Sequence, residues 1–299
     1  MTQLITILFA IFAGYFCKKL PFSMSSLNKF LNIAIISILL IMGYQFGSTS
    51  ANLIAELYVL FKTVGIFVIC LLVANCIFIS IAFRKSHDNI KDQHQQVKGF
   101  FFYVKSSCKY LIYVCFGIGL GYIINYKLLH IDFIISAILL VVLFIIGFQL
   151  KAQNIAIKTI LVNKAGIYLT CIIVISSMIG GIFAALISGL SIKTGLVLSS
   201  GYGWYTLSGI LASQLINQHM GTTAFFIDFI RELLSLIIIP LFGRKFPMQS
   251  VGYAGATALD FTLPIIKETL GEELVPLAIT SGMLLSILVP ILIPIVWQL

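Results

Sequence analysis

The sequence has few charged residues, and this scarcity excludes an ordinary soluble domain. Only 10% of its 299 residues are charged, whereas a soluble globular domain carries about 25%. Hydrophobic residues make up 60% of the chain, and the mean hydropathy is +1.09. Helices satisfy their own backbone hydrogen bonds in lipid, so this composition predicts an all-α polytopic membrane protein.

The sequence motifs of hydrolases, ATPases and metalloproteins are also missing. The chain contains no HExxH, GxSxG or P-loop motif, so it gives no support to hydrolysis or ATP use. Its six cysteines show no CxxC spacing and lie mostly within apolar runs, which indicates packing residues rather than a disulfide framework or a metal cluster. We therefore predict that the protein is not an enzyme and uses no metal or cofactor.

The N-terminal segment lacks the features of a cleavable signal peptide. Residues 1–13 contain no basic region and no small-residue cleavage site. We therefore expect the first helix to remain in the mature protein.

Apolar runs of about 20 residues, long enough to cross a bilayer, recur along the chain. Eight full spans are predicted, near residues 2–19, 28–47, 57–83, 104–125, 131–150, 160–189, 222–242 and 274–297. Two further apolar segments, 195–216 and 250–270, are broken by glycine and proline, and we predict that they form re-entrant or discontinuous helical hairpins. Such backbone needs protein or a water-filled cavity around it, so both hairpins are expected to line a cavity.

The lysine and arginine residues predict how the chain is oriented. With the N-terminus outside, the three richest basic loops all lie in the cytoplasm, which is the usual side for such loops. A re-entrant path for residues 195–216 also returns Arg244 and Lys245 to that side. The same clustering explains the net charge of +9 without a nucleic acid partner. We predict a multi-pass protein with both termini outside.

Two internal similarities predict inverted repeats, with chance alignment of apolar sequence as the alternative. LLIMGYQF at residues 39–46 resembles LFIIGFQL at 143–150, and YTLSGI at 205–210 resembles FTLPII at 261–266. Three spans in each of the first two units would invert one copy relative to the other. The predicted divisions are a first repeat at 1–83, a basic cytoplasmic linker at 84–103, a second, inverted repeat at 104–190, and a core with the substrate site at 191–299.

Three carboxylates lie within the apolar last third of the chain, where an ionisable group normally marks a substrate or ion path. Asp228 and Glu232 are four residues apart and share a helix face. Arg231 can pair with Asp228 across one turn, and a buried ion pair that only sets helix register is the alternative reading. Glu232 is the better candidate for a titrating or cation-binding carboxylate, because desolvation favours its protonated form.

The two broken segments supply the remaining candidate residues. Asp260 lies in GATALDFTLP at residues 255–264, and the aromatic rings at 202–205 can hold an ammonium group by cation–π attraction. Ordinary packing of these rings is the alternative. The full candidate set for substrate or proton binding is Asp228, Glu232, Asp260, Arg231, Tyr202, Trp204, Tyr205, Ser208 and Thr262.

Three stretches of the chain resemble the bacterial L-lysine exporters of the LysO type. They are SGYGWYTLSGIL at residues 200–211, TAFFIDFIRELL at 223–234 and GATALDFTLPII at 255–266. The resemblance implies export of L-lysine, and of its analogue thialysine, across a bacterial inner membrane. It also implies that Glu232 and Asp260 are the intramembrane acids of this exporter type.

Export of a cation against an inside-negative potential costs about 2.3 kcal/mol per charge per 100 mV, so another ion must move inward. We predict proton antiport, in which a carboxylate alternately binds a proton and the substrate ammonium. The predicted partners are L-lysine, protons and the lipid bilayer, and a homo-oligomer is left open. Two other readings also stay open: a sodium-coupled carrier for a small organic anion, and a channel or sensor without turnover.

Overall fold

The computed structural model describes residues 2–17, 23–50, 52–84, 100–126, 131–152 and 163–299. Every regular element within these residues is helical, which confirms the predicted fold class. Most of the predicted linker at 84–103 lies outside the described residues, as do parts of the basic loops at 18–22 and 153–162.

Twelve α-helices make up the described part of the chain. They are α1 (Thr2–Phe16), α2 (Met24–Thr49), α3 (Leu53–Ala82), α4 (Phe100–Ile124), α5 (Ile131–Ala152), α6 (Lys164–Ser188), α7 (Ile192–Ser199), α8 (Tyr205–Leu215), α9 (Gln218–Phe242), α10 (Pro247–Ala254), α11 (Leu263–Leu270) and α12 (Val275–Gln298). Short 3-10 helices follow α10 at Gly255–Leu259 and precede α12 at Glu272–Leu274. The eight long helices, α1 to α6 with α9 and α12, occupy the eight predicted spans.

Length and apolar composition mark several of these helices as membrane spans. Among the described residues, α2, α3, α6 and the stretch Glu272–Gln298 that contains α12 are long and apolar enough to cross a bilayer. Helix α9 has 25 residues, which is also sufficient length, but it carries Asp228, Arg231 and Glu232 near its middle. These charges therefore lie midway along a helix that is long enough to cross a bilayer.

Glycine residues bring α2 and α4 into close contact. A Cβ added to Gly43 or Gly47 would overlap the backbone of α4, and a Cβ added to Gly117 or Gly121 would overlap the backbone of α2. Both helices thus have small residues four positions apart, the usual spacing for close helix contacts in membranes. Helix α1 packs along α5, and α2 also contacts α5, so these four helices form one bundle, here called the frame.

The remaining helices form a second bundle, here called the core. Helix α3 packs along α6, and both hairpins and α12 pack around this pair. Helix α9 lies at the boundary, because it contacts α3 and α8 in the core and also α2 and α4 in the frame.

The first hairpin consists of α7 and α8 and is re-entrant. Helix α7 returns along the end of α6, since Gly195 packs against Gly181 and Ala185. Helix α8 runs back beside the start of α9, where Gly209 and Ser213 pack against Gly221. The end of α6 and the start of α9 lie at the same end of the molecule, so the chain enters and leaves the bundle from that end.

The second hairpin consists of α10 and α11 and enters from the opposite end. Gln249 at its start donates a hydrogen bond of 2.9 Å to Ser80 near the end of α3. Leu270 at its end packs against Gly243, which follows α9. Arg84, Arg244 and Lys245 lie at this end of the molecule, here called the basic end. The two predicted broken segments are therefore confirmed as opposed, discontinuous hairpins.

Five of the described helices have an N-terminal side-chain cap, whereas α8 has none. Ser23, Asn52, Asn163, Ser191 and Asn217 each accept a hydrogen bond from a backbone N–H in the first turn of the helix that follows. Trp204 begins α8 with no side-chain cap. A cap residue accepts hydrogen bonds from N–H groups that lack a partner within the helix, and the Trp204 side chain accepts none from the first turn of α8.

Candidate functional site

The breaks of the two hairpins touch each other at the centre of the molecule. The N–H of Ala256 donates a hydrogen bond of 2.8 Å to the carbonyl of Tyr202. Tyr202, Gly203 and Gly255 have φ angles of +49°, +92° and +66°, and a Cβ at Gly255 would overlap the Tyr202 carbonyl. Glycine at this position thus permits a contact that an L side chain would block.

Asp228 holds the first break in place. Its carboxylate accepts a hydrogen bond of 2.8 Å from the N–H of Gly203 and one of 2.5 Å from the hydroxyl of Ser208. Its side chain is buried, and Gly201 packs directly on the carboxylate, where any Cβ would overlap it. A carboxylate near the start of α8 also complements the positive end of that helix dipole.

Arg231 holds the second hairpin. Its Nε donates a hydrogen bond of 2.9 Å to the carbonyl of Tyr253, and an Nη donates a longer one of 3.4 Å to the carbonyl of Gly252. The guanidinium also lies 5.2 Å from the centre of the Tyr253 ring. The carbonyls belong to the last turn of α10, whose negative dipole end favours a cation.

The predicted pairing of Asp228 with Arg231 does not form. Within the described part of the chain the two ion pairs are His219 with Glu56 and Lys267 with Glu272. The two side chains instead bind different hairpins: Asp228 accepts hydrogen bonds from the first break, and Arg231 donates hydrogen bonds to the end of α10. Tertiary partners have therefore replaced the local partner that the helical spacing predicted.

A cavity of about 310 Å³ lies between the frame and the core, and both hairpins line it. Leu31, Ile35, Val142 and Ile146 form an apolar wall on the frame side. Its lining also reaches Gln149, which donates a hydrogen bond of 2.7 Å to Asn28 at the start of α2. The cavity thus extends toward the basic end of the molecule.

Four of the nine predicted site residues line this cavity, and they include two of the three acids. They are Glu232, Asp260, Trp204 and Tyr205. Glu232 is only 1% exposed, whereas Asp260 is exposed and accepts a hydrogen bond of 2.6 Å from the N–H of Phe261. The lining residues in the described part of the chain include no lysine or arginine, so the cavity carries an excess of negative charge.

The other five predicted residues lie behind the cavity wall. Asp228 and Ser208 bind each other, and Arg231 binds the end of α10. Tyr202 is fully buried, as is Thr262, whose N–H donates to the carbonyl of Thr257. These five residues shape the breaks in this structure, and their direct binding of substrate or protons stays a prediction.

Some of the aromatic rings at the breaks line the cavity, and some pack against other rings. Tyr205 lines the cavity, but its ring also makes edge contacts with Phe225 and Phe229 at centroid distances of 5.4 and 5.5 Å. Tyr110 of the frame meets the same ring at 5.9 Å. Only Trp204 and Tyr205 of the three predicted rings face the cavity.

Several lining residues were missed by the sequence analysis. Tyr110, Gln149, Thr257 and Ser286 all line the cavity. Gln149 lies within the internal similarity, so it had a weak signal. Tyr110 and Ser286 lie in otherwise ordinary apolar helices, where one hydroxyl indicates nothing about its surroundings.

Comparisons with known proteins agree on a family. Residues 111–297 match the family described as Lysine exporter LysO. The chain belongs to this family. It is 33% identical over 296 residues to the lysine exporter LysO of Escherichia coli strain K12, which is 97% of each chain. A protein of Haemophilus influenzae, named as a candidate lysine exporter, is 41% identical over 156 residues, which is 52% of this chain and 80% of the relative.

The region that matches the lysine exporter LysO family contains both hairpins, α9 and both acids of the cavity. No solved structure matches the chain. The spatial arrangement of the family motifs described above therefore comes from this structure alone.

Proposed function

We propose that the protein is a secondary active transporter that exports L-lysine from the cytoplasm. The observation that carries the proposal is the placement of Glu232 and Asp260 on one cavity where two broken helices meet. Lysine has two ammonium groups, and each carboxylate can bind one of them. Membership of the lysine exporter LysO family supports the same substrate.

The remaining cavity walls suit the aliphatic part of lysine. The volume of about 310 Å³ is at the small end of the range of roughly 300–1,000 Å³ for ligand pockets. Ile35, Val142 and Ile146 offer apolar contact for the four methylene groups. Thialysine replaces one of these groups with sulfur and keeps all three charges, so it is a second proposed substrate.

We infer that protons drive export. Moving one net positive charge outward against an inside-negative potential costs about 2.3 kcal/mol per 100 mV. A carboxylate that releases a proton before it binds an ammonium group links inward proton movement to outward lysine movement. Glu232 is suited to this exchange, because it is nearly inaccessible to solvent yet lines the substrate cavity.

The proposed orientation places the basic end in the cytoplasm of a bacterial cell, with both termini outside the inner membrane. Basic residues concentrate on the cytoplasmic side of membrane proteins, and Arg84, Arg244 and Lys245 lie at this end. The cavity extends toward the same end, which supports loading of substrate from the cytoplasm.

The frame and core contacts support the proposed inverted repeat. Helix α1 packs on α5, α2 on α4, and α3 on α6. If α1, α2 and α3 correspond to α4, α5 and α6, these contacts are reciprocal, as a two-fold axis between repeats requires. The proposed units are residues 1–83 and 104–190, joined by the linker at 84–103 and followed by the substrate-binding region at 191–299.

Transport in proteoliposomes tests the function. Purified protein should catalyse saturable counterflow of labelled L-lysine, and an imposed pH gradient should drive net lysine movement. Absence of counterflow would refute L-lysine as the substrate. Counterflow without any net lysine movement under a pH gradient would refute proton coupling. A sodium gradient that moves an organic anion, or flux that does not saturate, would instead identify a different carrier or a channel.

A matched pair of variants tests the role of the cavity acid. Glu232→Gln should abolish movement driven by the pH gradient, because an amide cannot exchange a proton with the substrate ammonium. Glu272→Gln is the control: Glu272 is 79% exposed and pairs with Lys267 at 2.9 Å, away from the cavity. Equal loss in both variants, or no loss in Glu232→Gln, would contradict the assignment.

A further inference from the structure

Tyr110 brings a polar side chain from the frame to the cavity wall. It lies on α4 and lines the cavity together with Glu232 of α9. The two side chains are near enough to interact electrostatically. The Tyr110 ring also meets the ring of Tyr205, another lining residue, at a centroid distance of 5.9 Å. Tyr110 therefore belongs to the part of the frame wall in the neighbourhood of Glu232.

A hydrogen bond to Asn32 sets the direction of the Tyr110 proton. The hydroxyl donates to Oδ1 of Asn32 on α2 at 3.0 Å. A tyrosine hydroxyl has one proton, so an oxygen that donates this proton can otherwise only accept. The neighbouring Lys109 lies beside the ring, with Nζ 5.9 Å from its centre, and does not line the cavity. The Tyr110 oxygen is therefore left as an acceptor for a group in the cavity.

The same helix also orients the other polar residue of the frame wall. Among the described lining residues, the frame contributes two polar side chains, Tyr110 and Gln149. Gln149 donates to Oδ1 of Asn28 at 2.7 Å, as Tyr110 does to Asn32. The two asparagines are four residues apart and share a face of α2. In an otherwise apolar wall, α2 thus fixes both groups that can bind a polar substrate.

An acceptor near Glu232 matches the chemistry of an ammonium group. An ammonium group has three N–H donors, and contact with one carboxylate uses one or two of them. A donor without a partner in a closed site costs free energy, so a further acceptor is needed. We propose that Tyr110, positioned by Asn32, accepts a hydrogen bond from the substrate ammonium group that binds Glu232. This inference rests on the proposed function and adds to its site a residue that determines specificity for an ammonium group.

Two analogues of lysine, each without one ammonium group, are the probes. ε-Aminocaproate lacks the α-ammonium group, and ε-hydroxynorleucine has a hydroxyl in place of the ε-ammonium group. Their inhibition of labelled lysine counterflow, compared with that of lysine itself, gives one preference for each ammonium group. Saturable lysine counterflow by the unmodified protein upholds the proposed function whatever the variants show, so the two proposals fail separately.

Tyr110→Phe is the first variant, because it keeps the ring that meets Tyr205 and removes the acceptor. It should lower the preference for lysine over one analogue about tenfold, since a hydrogen bond to a charged group is lost, and leave the other preference within about twofold. The preference that falls identifies the ammonium group that binds Glu232. Two unchanged preferences, or an equal fall in both, would overturn the proposal.

A pair of substitutions at Asn32 tests its positioning role. Asn32→Leu removes the acceptor of the Tyr110 proton, so the same preference should fall about threefold or more. Asn32→Asp keeps an oxygen acceptor at this place and should recover the preference. Should Tyr110→Phe fail to fold, this pair decides the question, because unchanged preferences in Asn32→Leu would also overturn the proposal.

Tyr44→Phe is the matched control within the frame. Tyr44 is buried, its hydroxyl donates to the carbonyl of Tyr126 at 2.8 Å, and it does not line the cavity. Removal of this hydroxyl should leave both preferences unchanged, because it has no contact with substrate. A loss of preference equal to that of Tyr110→Phe would show a general effect of the frame and would contradict a direct role for Tyr110.

Discussion

Asp228 and Arg231 lie one turn apart on α9 and bind opposite hairpins. Asp228 accepts hydrogen bonds from the first break, and Arg231 donates hydrogen bonds to the end of α10. Each charge is opposite in sign to the partial charge of the helix end that it contacts. One rigid helix therefore holds both breaks, and its next residue, Glu232, faces the cavity between them.

Asp228→Asn should retain proton-coupled transport. The amide oxygen can accept the Gly203 N–H, and the amide nitrogen can donate to Ser208, whose hydroxyl can either donate or accept. We expect lysine flux within about tenfold of the unmodified protein, because only the charge-assisted part of each bond is lost. The measurement is the lysine-to-proton ratio in proteoliposomes, compared with Glu232→Gln. Loss of coupling with intact counterflow in Asp228→Asn would instead identify Asp228 as a proton carrier.

Arg231→Met should loosen the second hairpin. The substitution leaves the buried carbonyls of Tyr253 and Gly252 without their donors, at about 1–3 kcal/mol for each buried group. The thermal midpoint of the purified protein in detergent should therefore fall. Arg231→Lys keeps a cation that can reach one of these carbonyls, so the thermal midpoint of this variant should fall less. An unchanged midpoint in Arg231→Met would show that these hydrogen bonds contribute nothing to the fold.

Asp260→Asn should weaken substrate binding without destabilising the protein. The carboxylate is exposed to the cavity, and an asparagine oxygen can still accept the N–H of Phe261. Loss of one charge-assisted contact to an ammonium group should raise the lysine concentration for half-maximal counterflow about tenfold or more. Asp260→Glu should recover part of the affinity. A normal lysine response in Asp260→Asn would remove Asp260 from the binding site.

Gly117→Ala should disrupt the frame, whereas Gly119→Ala should not. A Cβ at Gly117 would overlap the carbonyl of Leu40 on α2, and a Cβ at Gly119, two residues along the same helix, meets nothing within 4 Å. We expect destabilisation of about 1–3 kcal/mol for Gly117→Ala and a change below about 1 kcal/mol for Gly119→Ala. Equal thermal midpoints for the two variants would show that α2 and α4 do not pack closely.

Local sequence was informative about backbone and poor about side-chain partners. Glycine and proline within apolar sequence indicated both hairpins, because these residues disfavour the helix interior. Single residues of this kind do not always break a helix, since Pro240 lies inside α9. The spacing of Asp228 and Arg231 predicted a pair, yet stronger partners arrive from α8 and α10, 20 or more residues away. Tyr110 and Gln149 line the cavity only because the frame packs against the core, and no local pattern reports that contact.

The amino-acid sequence by itself determined the membrane environment, the approximate spans, the two broken segments and the presence of buried acids, since hydropathy and helix interruption are properties of local residues. Tertiary structure alone decided which acids face the cavity and which hold the backbone. Glu232 and Asp228 share a helix face, but the first break covers Asp228 and leaves Glu232 on the cavity wall. That division depends on where distant half-helices end, because only their freed N–H and C=O groups can bind a charged side chain at this depth.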